Sequence, residues 1–188
     1  EGEDAWLCHG TDRLFRTGES ALLGAHNHRN MLLALAGAAA TGALHTDAIA
    51  PVLSAFPGLA HRLEKIGDPS GVVFVNDSLA TNPHAAAAAL VACSSPGMVW
   101  LVGGFDRGVN YQVLIEQVVR QTPRHIVGLP ESGPRLVELF REALTEAGLR
   151  DQVSLHTASS MLEAVTYARG LAEPGDYVLL SPGAPSFG

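Results

Sequence analysis

Three polar segments follow apolar runs in this sequence and contain residue types that suit recognition of a charged ligand. NDSLATN (76–82) follows VVFV, GGFDRG (103–108) follows MVWLV, and SPGAPSFG (181–188) follows DYVLL. Each segment combines small residues with hydroxyl groups or charged side chains. This composition suits an anionic or amide-rich ligand that is held by backbone N–H groups and polar side chains.

Each segment also has an ordinary structural interpretation. Asp77 and Ser78 can form a turn that caps the following helix, and the two glycines of GGFDRG can relieve a tight connection. Asp106 and Arg107 can form an exposed ion pair of little energetic weight. A binding site is favoured because all three segments are predicted on one rim of one sheet.

This placement depends on the alternation of strands and helices that begins near residue 58. The predicted strands are 72–75, 98–102, 124–129, 152–156 and 176–181, and amphipathic or alanine-rich helices lie between them. Such alternation predicts a doubly wound, Rossmann-like parallel α/β sheet that is covered on both faces. Open parallel sheets bind ligands beyond the carboxyl ends of their strands, where the three polar segments would lie.

Residues 1–57 have a different pattern and predict the tail of another unit. Short strands and turns open the chain, a buried helix follows Asn30, and Thr46 is predicted to cap a second helix. FPGLAHR (56–62) contains a proline and a glycine and is typical of a hinge. We therefore expect one domain to end at residue 57 and the next to begin at residue 58.

Composition limits the classes of partner. The 188 residues are 47% hydrophobic and 16% charged, with a net charge of −7, which disfavours nonspecific binding to nucleic acid. No apolar run reaches the roughly 18 residues that span a bilayer, and the acidic start EGEDAW does not resemble a secretory signal. We expect a cytoplasmic protein with neither a nucleic-acid nor a membrane partner.

Two groups of histidines could take part in binding. His26 and His28 flank Asn27, but no third ligand of the usual kind is near in sequence, so we expect a turn with a functional asparagine rather than a zinc site. His61 and Arg62 lie in the hinge, where a cation suits an anionic ligand held between domains. A surface His-Arg pair without a ligand is the alternative.

Five segments in order resemble the Mur ligase family. They are GAHNHRN (24–30), FPGLAHRLE (56–64), VNDSLATNP (75–83), GGFDRG (103–108) and LLSPGAPSFG (179–188). The resemblance implies an ATP-dependent ligase that joins D-glutamate to UDP-N-acetylmuramoyl-L-alanine through an acyl phosphate in peptidoglycan synthesis. It also implies that 1–57 ends a central α/β ATPase domain and that 58–188 is the C-terminal Rossmann-like domain, which binds the amino acid.

Carried over position by position, the resemblance implies two sets of binding residues and no catalytic residue or metal ligand in this chain. The ATP-binding set is Asn27, Asn30, His61, Arg62 and Asp77, and the substrate-binding set is Thr81, Arg107, Ser186 and Phe187. The expected cofactors are ATP and Mg²⁺, with the P-loop and most magnesium ligands in an upstream part. We therefore expect a piece of a longer ligase that is inactive alone.

Two positions depart from the pattern of the D-glutamate-adding members. Leu79 and Arg107 stand where lysine is usual. Leucine cannot bind a carboxylate, whereas arginine keeps the charge and offers two parallel donors. Another Mur-type ligase, a folylpolyglutamate ligase and a noncatalytic α/β binding module are the alternatives.

Overall fold

The computed structural model describes residues 5–67 and 69–185. The chain divides into two compact units, one ending at Gly58 and one beginning at Leu59. The assignment of these units to domains of a larger enzyme stays a prediction. Within the described ranges, none of the helices is both long enough and apolar enough to span a bilayer.

The first unit is a hairpin followed by two helices. Its elements are β1 (Trp6–His9), β2 (Asp12–Arg16), a short 3-10 helix (Thr17–Glu19), α1 (Ala25–Ala40) and α2 (Thr46–Ala55). Leu7 and Phe15 of the hairpin cluster with Met31 and Ile49 of the helices. Because α1 begins at Ala25, the turn predicted around residue 27 is wrong. The predicted cap is also wrong, since Thr46 is itself the first helical residue and the helix has no side-chain cap.

The second unit contains a six-stranded sheet. Its strands are β3 (Glu64–Gly67), β4 (Val73–Asn76), β5 (Val99–Val102), β6 (His125–Gly128), β7 (Ser154–Thr157) and β8 (Tyr177–Leu180). They lie in the order β3-β4-β8-β5-β6-β7, and all neighbours are parallel except β3 and β4. The five predicted strands are confirmed. The antiparallel edge strand β3 was missed because EKIG is short, largely exposed and poor in strand-forming residues.

Helices cover both faces of this sheet, as expected for a doubly wound fold. The helices are α3 (Pro83–Ala92), α4 (Gln112–Gln121), α5 (Ser132–Glu146) and α6 (Met161–Leu171), with a short 3-10 helix at Arg150–Gln152. Trp100 of β5 packs against Phe140 of α5, with ring centroids 5.7 Å apart. Its neighbour Val99 clusters with Ala164 of α6. Since adjacent side chains on a strand point to opposite faces, α5 and α6 lie on opposite sides of the sheet.

Side-chain caps fix the starts of two helices. The Asn82 side chain accepts a hydrogen bond from Ala85 N at 3.0 Å, and Pro83 occupies the first turn of α3, where no N–H is needed. Ser160 likewise accepts from Glu163 N at 3.1 Å at the start of α6. These caps determine where the polar loops end and the helices begin.

Candidate functional site

The three polar loops lie together at the carboxyl edge of the sheet, because β8 is placed between β4 and β5. Backbone hydrogen bonds join the loops to one another. Gly183 N donates to Ala80 O at 2.8 Å, and Phe105 N donates to Pro185 O at 2.7 Å. The predicted placement of these loops on one rim is confirmed for the residues that the structure describes.

Asp77 is the buried centre of this rim. Its side chain is almost fully enclosed, with Oδ1 accepting from Leu63 N at 3.1 Å and Oδ2 accepting from Ser181 Oγ at 2.8 Å. Burial raises the pKa of the Asp77 carboxyl, while the two hydrogen bonds and the nearby Arg62 charge act in the opposite direction. The carboxyl group therefore links the end of β4, the segment before β3 and the end of β8.

Asp77 and Ser78 form a turn, with Ala80 N donating to Asp77 O at 2.9 Å, but they do not cap the following helix, so the capping part of the ordinary interpretation is wrong. Asn82 caps α3 instead. The contact predicted between Asp77 and a nucleotide ribose stays a prediction, and both carboxyl oxygens already have partners inside the protein.

The segment that contains Arg62 has an unusual backbone. His61 and Leu63 have positive φ values of 63° and 46°, which residues other than glycine rarely adopt. His61 N donates to Glu64 Oε2 at 2.9 Å, and its carbonyl accepts from Leu79 N at 3.1 Å. These contacts hold the strained backbone and leave the Arg62 side chain exposed at the rim.

The imidazole of His61 is oriented by Asn76. Asn76 Oδ1 accepts a hydrogen bond from Ser78 N at 3.1 Å, so the amide nitrogen faces His61 Nδ1 at 2.9 Å. In this arrangement Nδ1 of neutral His61 is the acceptor, and Nε2 carries the proton as a donor. Asn76 was not predicted as a site residue, although it begins the polar segment NDSLATN.

The GGFDRG loop is closed around Arg107. Asp106 Oδ1 accepts from Gly108 N at 2.8 Å, and Arg135 Nη1 donates to both Asp106 oxygens at 3.1 and 2.9 Å. The Gly108 bond, followed by the Arg135 bond, lowers the pKa of the Asp106 carboxyl. Arg107 is exposed, and its guanidinium carbon lies 5.8 Å from the centre of the Phe105 ring.

Thr81 and Leu79 are both exposed on the loop after β4, and Leu79 has 53% of its surface accessible. Thr81 N donates to Leu79 O at 2.9 Å, which keeps the two side chains on one tight turn. Ser186 and Phe187, the other two residues in the predicted substrate-binding set besides Arg107, lie outside the described residues.

Asn27 and Asn30 belong to the first unit and are joined to each other. Asn30 Nδ2 donates to Asn27 Oδ1 at 3.0 Å, and Asn27 Nδ2 donates to Leu23 O at 2.7 Å. Asn27 is buried and Asn30 is exposed. Their predicted role at the adenine side of an ATP site stays a prediction.

Two further residues of the rim, Ser181 and Arg135, were not predicted from the sequence. Ser181 follows β8 directly, so its place after a buried strand was the available signal. Arg135 lies 29 residues from Asp106, and nothing in the sequence links the two.

Across residues 5–67 and 69–185, no group of three or more His, Cys, Asp and Glu side chains could hold a metal ion.

The family follows from the segment that contains both the rim and the sheet. Residues 61–183 match the family described as Mur ligase, glutamate ligase domain. The chain belongs to the Mur ligase family. The resemblance carried by the five sequence segments is thereby confirmed.

Curated relatives extend the similarity to almost the whole chain. A UDP-N-acetylmuramoyl-L-alanine--L-glutamate ligase from Xanthomonas euvesicatoria pv. vesicatoria (strain 85-10) is 41% identical over 180 residues, which cover 95% of this chain and 37% of the relative. A ligase of the same name from Micromonospora sp. is 40% identical and covers 97% and 39%, respectively. The chain thus spans well under half the length of these relatives. Their names specify L-glutamate, whereas the resemblance of the five segments implied D-glutamate.

Two solved structures share the fold. A folylpolyglutamate synthase from Mycobacterium tuberculosis, complexed with ADP and AMPPCP, has a TM-score of 0.64 at 20% identity, over 87% of this chain and 39% of that one. A Thermotoga maritima MurF ligase in complex with ADP has a TM-score of 0.56 at 14% identity, over 84% and 34%. At these identities the Mur ligase likeness describes architecture and not substrate.

Proposed function

We propose that this chain is the C-terminal part of a cytoplasmic, ATP-dependent Mur ligase that joins L-glutamate to UDP-N-acetylmuramoyl-L-alanine in peptidoglycan synthesis. The observation that carries the proposal is the 41% identity, over 95% of the chain, to a relative of that name. The rim of the second unit supports it with exposed cations and hydroxyl groups on loops that internal hydrogen bonds hold in place.

The proposed reaction has two steps. The carboxylate of UDP-N-acetylmuramoyl-L-alanine takes the terminal phosphoryl group of ATP and releases ADP. The amino group of glutamate then attacks the acyl phosphate, so that an amide bond forms and inorganic phosphate leaves. ATP, the acyl phosphate and glutamate are all anionic, and exposed guanidinium groups are therefore the side chains best suited to hold them.

Within this proposal the nucleotide side and the amino-acid side of the site use different residues. Arg62 binds phosphate beside His61, Asn27 and Asn30 face adenine, and Asp77 contacts the ribose or holds the backbone next to Arg62. Thr81 and Arg107 bind glutamate together with Ser186 and Phe187. The magnesium ion that accompanies ATP takes its ligands mainly from residues outside this chain.

The configuration of glutamate is proposed from the relatives and fits the two departures in the rim. Leu79 is exposed where the D-glutamate-adding members have lysine, so that position offers no charge to a carboxylate. Arg107 offers a planar fork in place of an ammonium group. A changed set of cations is expected where the amino acid presents its carboxylates differently.

The test uses the full-length protein with UDP-N-acetylmuramoyl-L-alanine, ATP, magnesium and one glutamate enantiomer at a time. Phosphate release and the mass of the nucleotide product are measured. We expect product with L-glutamate and a kcat/KM for D-glutamate that is at least about tenfold lower. A preference for D-glutamate would overturn the stereochemical part, and the absence of product with both would overturn the ligase. Two further reactions serve as controls for other family activities. One contains diaminopimelate in place of glutamate, and the other contains a folate in place of UDP-N-acetylmuramoyl-L-alanine.

A further inference from the structure

We propose that Arg135 is a positioning residue for glutamate binding, because it holds the loop that presents Arg107 through a contact with Asp106. The inference rests on the proposed function, which gives Arg107 the task of binding a glutamate carboxylate. Arg135 belongs to α5 and not to any of the three polar loops, and no sequence motif contains it.

The turn around Arg107 is closed by the carboxylate of Asp106. Asp106 Oδ1 accepts a hydrogen bond from Gly108 N at 2.8 Å, so the backbone on both sides of Arg107 is fixed by one carboxylate. Arg135 Nη1 lies 3.1 and 2.9 Å from the two oxygens of that carboxylate. The ion pair therefore anchors the turn to the first turns of α5.

Arg135 makes a second contact besides the ion pair, although 48% of its side chain is exposed. Its guanidinium carbon lies 5.5 Å from the centre of the Tyr111 ring, which is buried. At the start of the same helix, Ser132 Oγ accepts from Gly104 N at 2.9 Å and Ser132 N donates to Gly104 O at 3.0 Å. Both ends of the GGFDRG loop thus bind to α5, one through Ser132 and one through Arg135.

The fixed turn affects how much conformational freedom the exposed Arg107 loses when it binds a ligand. A long side chain on a free loop loses backbone as well as side-chain freedom when it binds a ligand. The turn around Arg107 has already lost the backbone part during folding. Removal of the Arg135 contact frees this turn from α5, so we expect weaker glutamate binding without a direct effect on ATP.

The experiment compares five variants of the full-length ligase, which include the Arg135→Ala/Asp106→Asn double variant and Arg135→Lys. Arg135→Ala removes the anchor. Asp106→Asn keeps an oxygen for Gly108 N but loses the ion pair. Arg141→Ala is the matched control, because Arg141 is on the same helix and pairs with Glu138 at 3.2 Å in an exposed position. KM is measured separately for glutamate and for ATP, with the thermal unfolding midpoint of each variant.

We expect Arg135→Ala and Asp106→Asn each to raise the KM for glutamate by roughly three- to tenfold, with the KM for ATP unchanged. The double variant should be no worse than either single one, since both remove the same contact. Arg141→Ala should match the wild type, and Arg135→Lys should recover part of the loss.

Three results would overturn the inference. They are an unchanged KM for glutamate in Arg135→Ala, an equal rise in both KM values, and additive effects in the double variant. If Arg135→Ala does not fold, Asp106→Asn decides by the same comparison. A wild-type enzyme without glutamate-dependent turnover would instead overturn the proposed function itself, so the two failures are distinguishable.

Discussion

Arg62 is presented by a backbone that is fixed on both sides. His61 and Leu63 have positive φ values, and each uses its N–H in a hydrogen bond, to Glu64 and Asp77 respectively. Because these bonds are made inside the protein, the position of Arg62 does not depend on a ligand. An exposed guanidinium group on such a fixed backbone is suited to bind phosphate through parallel hydrogen bonds.

We expect Arg62→Ala to lower kcat/KM for ATP by about ten- to a hundredfold, which corresponds to the loss of a charge-assisted hydrogen bond. Steady-state kinetics of the full-length ligase measure this effect. Thr81→Ala should instead raise the KM for glutamate, because its hydroxyl is assigned to the other substrate. Arg120→Ala, on an exposed ion pair of α4, is the control and should change neither constant. An Arg62→Ala variant with wild-type ATP kinetics would remove Arg62 from the nucleotide site.

The buried Asp77 predicts a pH dependence of stability. Its pKa in the native state is raised above the ordinary value of 3.8, so the native state holds the proton more tightly than the unfolded chain does. The resulting stabilisation is complete below that ordinary value and is lost as the pH rises through the native pKa. We therefore expect the free energy of unfolding of Asp77→Asn to fall less than that of the wild type as the pH rises from about 4 to 7.

Denaturant unfolding at several pH values measures this difference, and Asp106→Asn is the matched control. The pKa of Asp106 is lowered, so its contribution is present above its ordinary value and is lost only as the pH falls through the lower native pKa. Above about pH 5, the free energy of unfolding of Asp106→Asn should therefore change with pH in parallel with that of the wild type. Parallel curves for Asp77→Asn and the wild type would contradict the burial argument.

At the scale of elements, the sequence predicted the parts that repeat and missed the parts that depend on distant contacts. The five parallel strands could be read because each is a continuous apolar run between turn residues, as expected for strands buried on both faces. β3 could not, because its pairing with β4 and not its composition makes it a strand. Ser181 and Arg135 were missed for the same reason, since their partners lie 104 and 29 residues away.

The start of α5 touches the end of β6 so closely that only glycines fit. A Cβ on Gly133 would lie 2.5 Å from the carbonyl carbon of Gly128 and 2.8 Å from its Cα, and neither backbone atom can move freely. We expect Gly133→Ala to destabilise the protein by about 1–3 kcal/mol or more. Gly170 lies in α6, and a Cβ added there would have no neighbouring side chain or other segment within 4 Å. Gly170→Ala should therefore stabilise the protein by about 0.4–1 kcal/mol. Chemical denaturation measures both, and a Gly133→Ala protein as stable as the wild type would contradict the close approach.

At the scale of the whole chain, the two units differ in how completely they bury apolar surface. The sheet of the second unit has buried side chains on both faces, including Val99 and Trp100 of β5. Among the described residues of the first unit, the buried apolar core consists of Leu7, Phe15, Met31 and Ile49. An open apolar groove of about 220 Å³ lies between α1 and α2. A unit of this size with so small a core has little stability of its own.

We therefore expect residues 59–188 to fold alone and residues 1–58 not to do so. The chain provides a probe for each unit, because its two tryptophans are Trp6 in the first and Trp100 in the second. Urea unfolding of the separate pieces should give a cooperative change in Trp100 fluorescence and only a gradual drift for Trp6. A shorter piece that begins at Gly71 lacks β3 and the Leu63 N–H that binds Asp77, so it should unfold at lower urea concentration than 59–188. A gradual transition for 59–188, or equal midpoints for the two pieces, would show that the sheet and the Asp77 contact do not stabilise this unit as the structure implies.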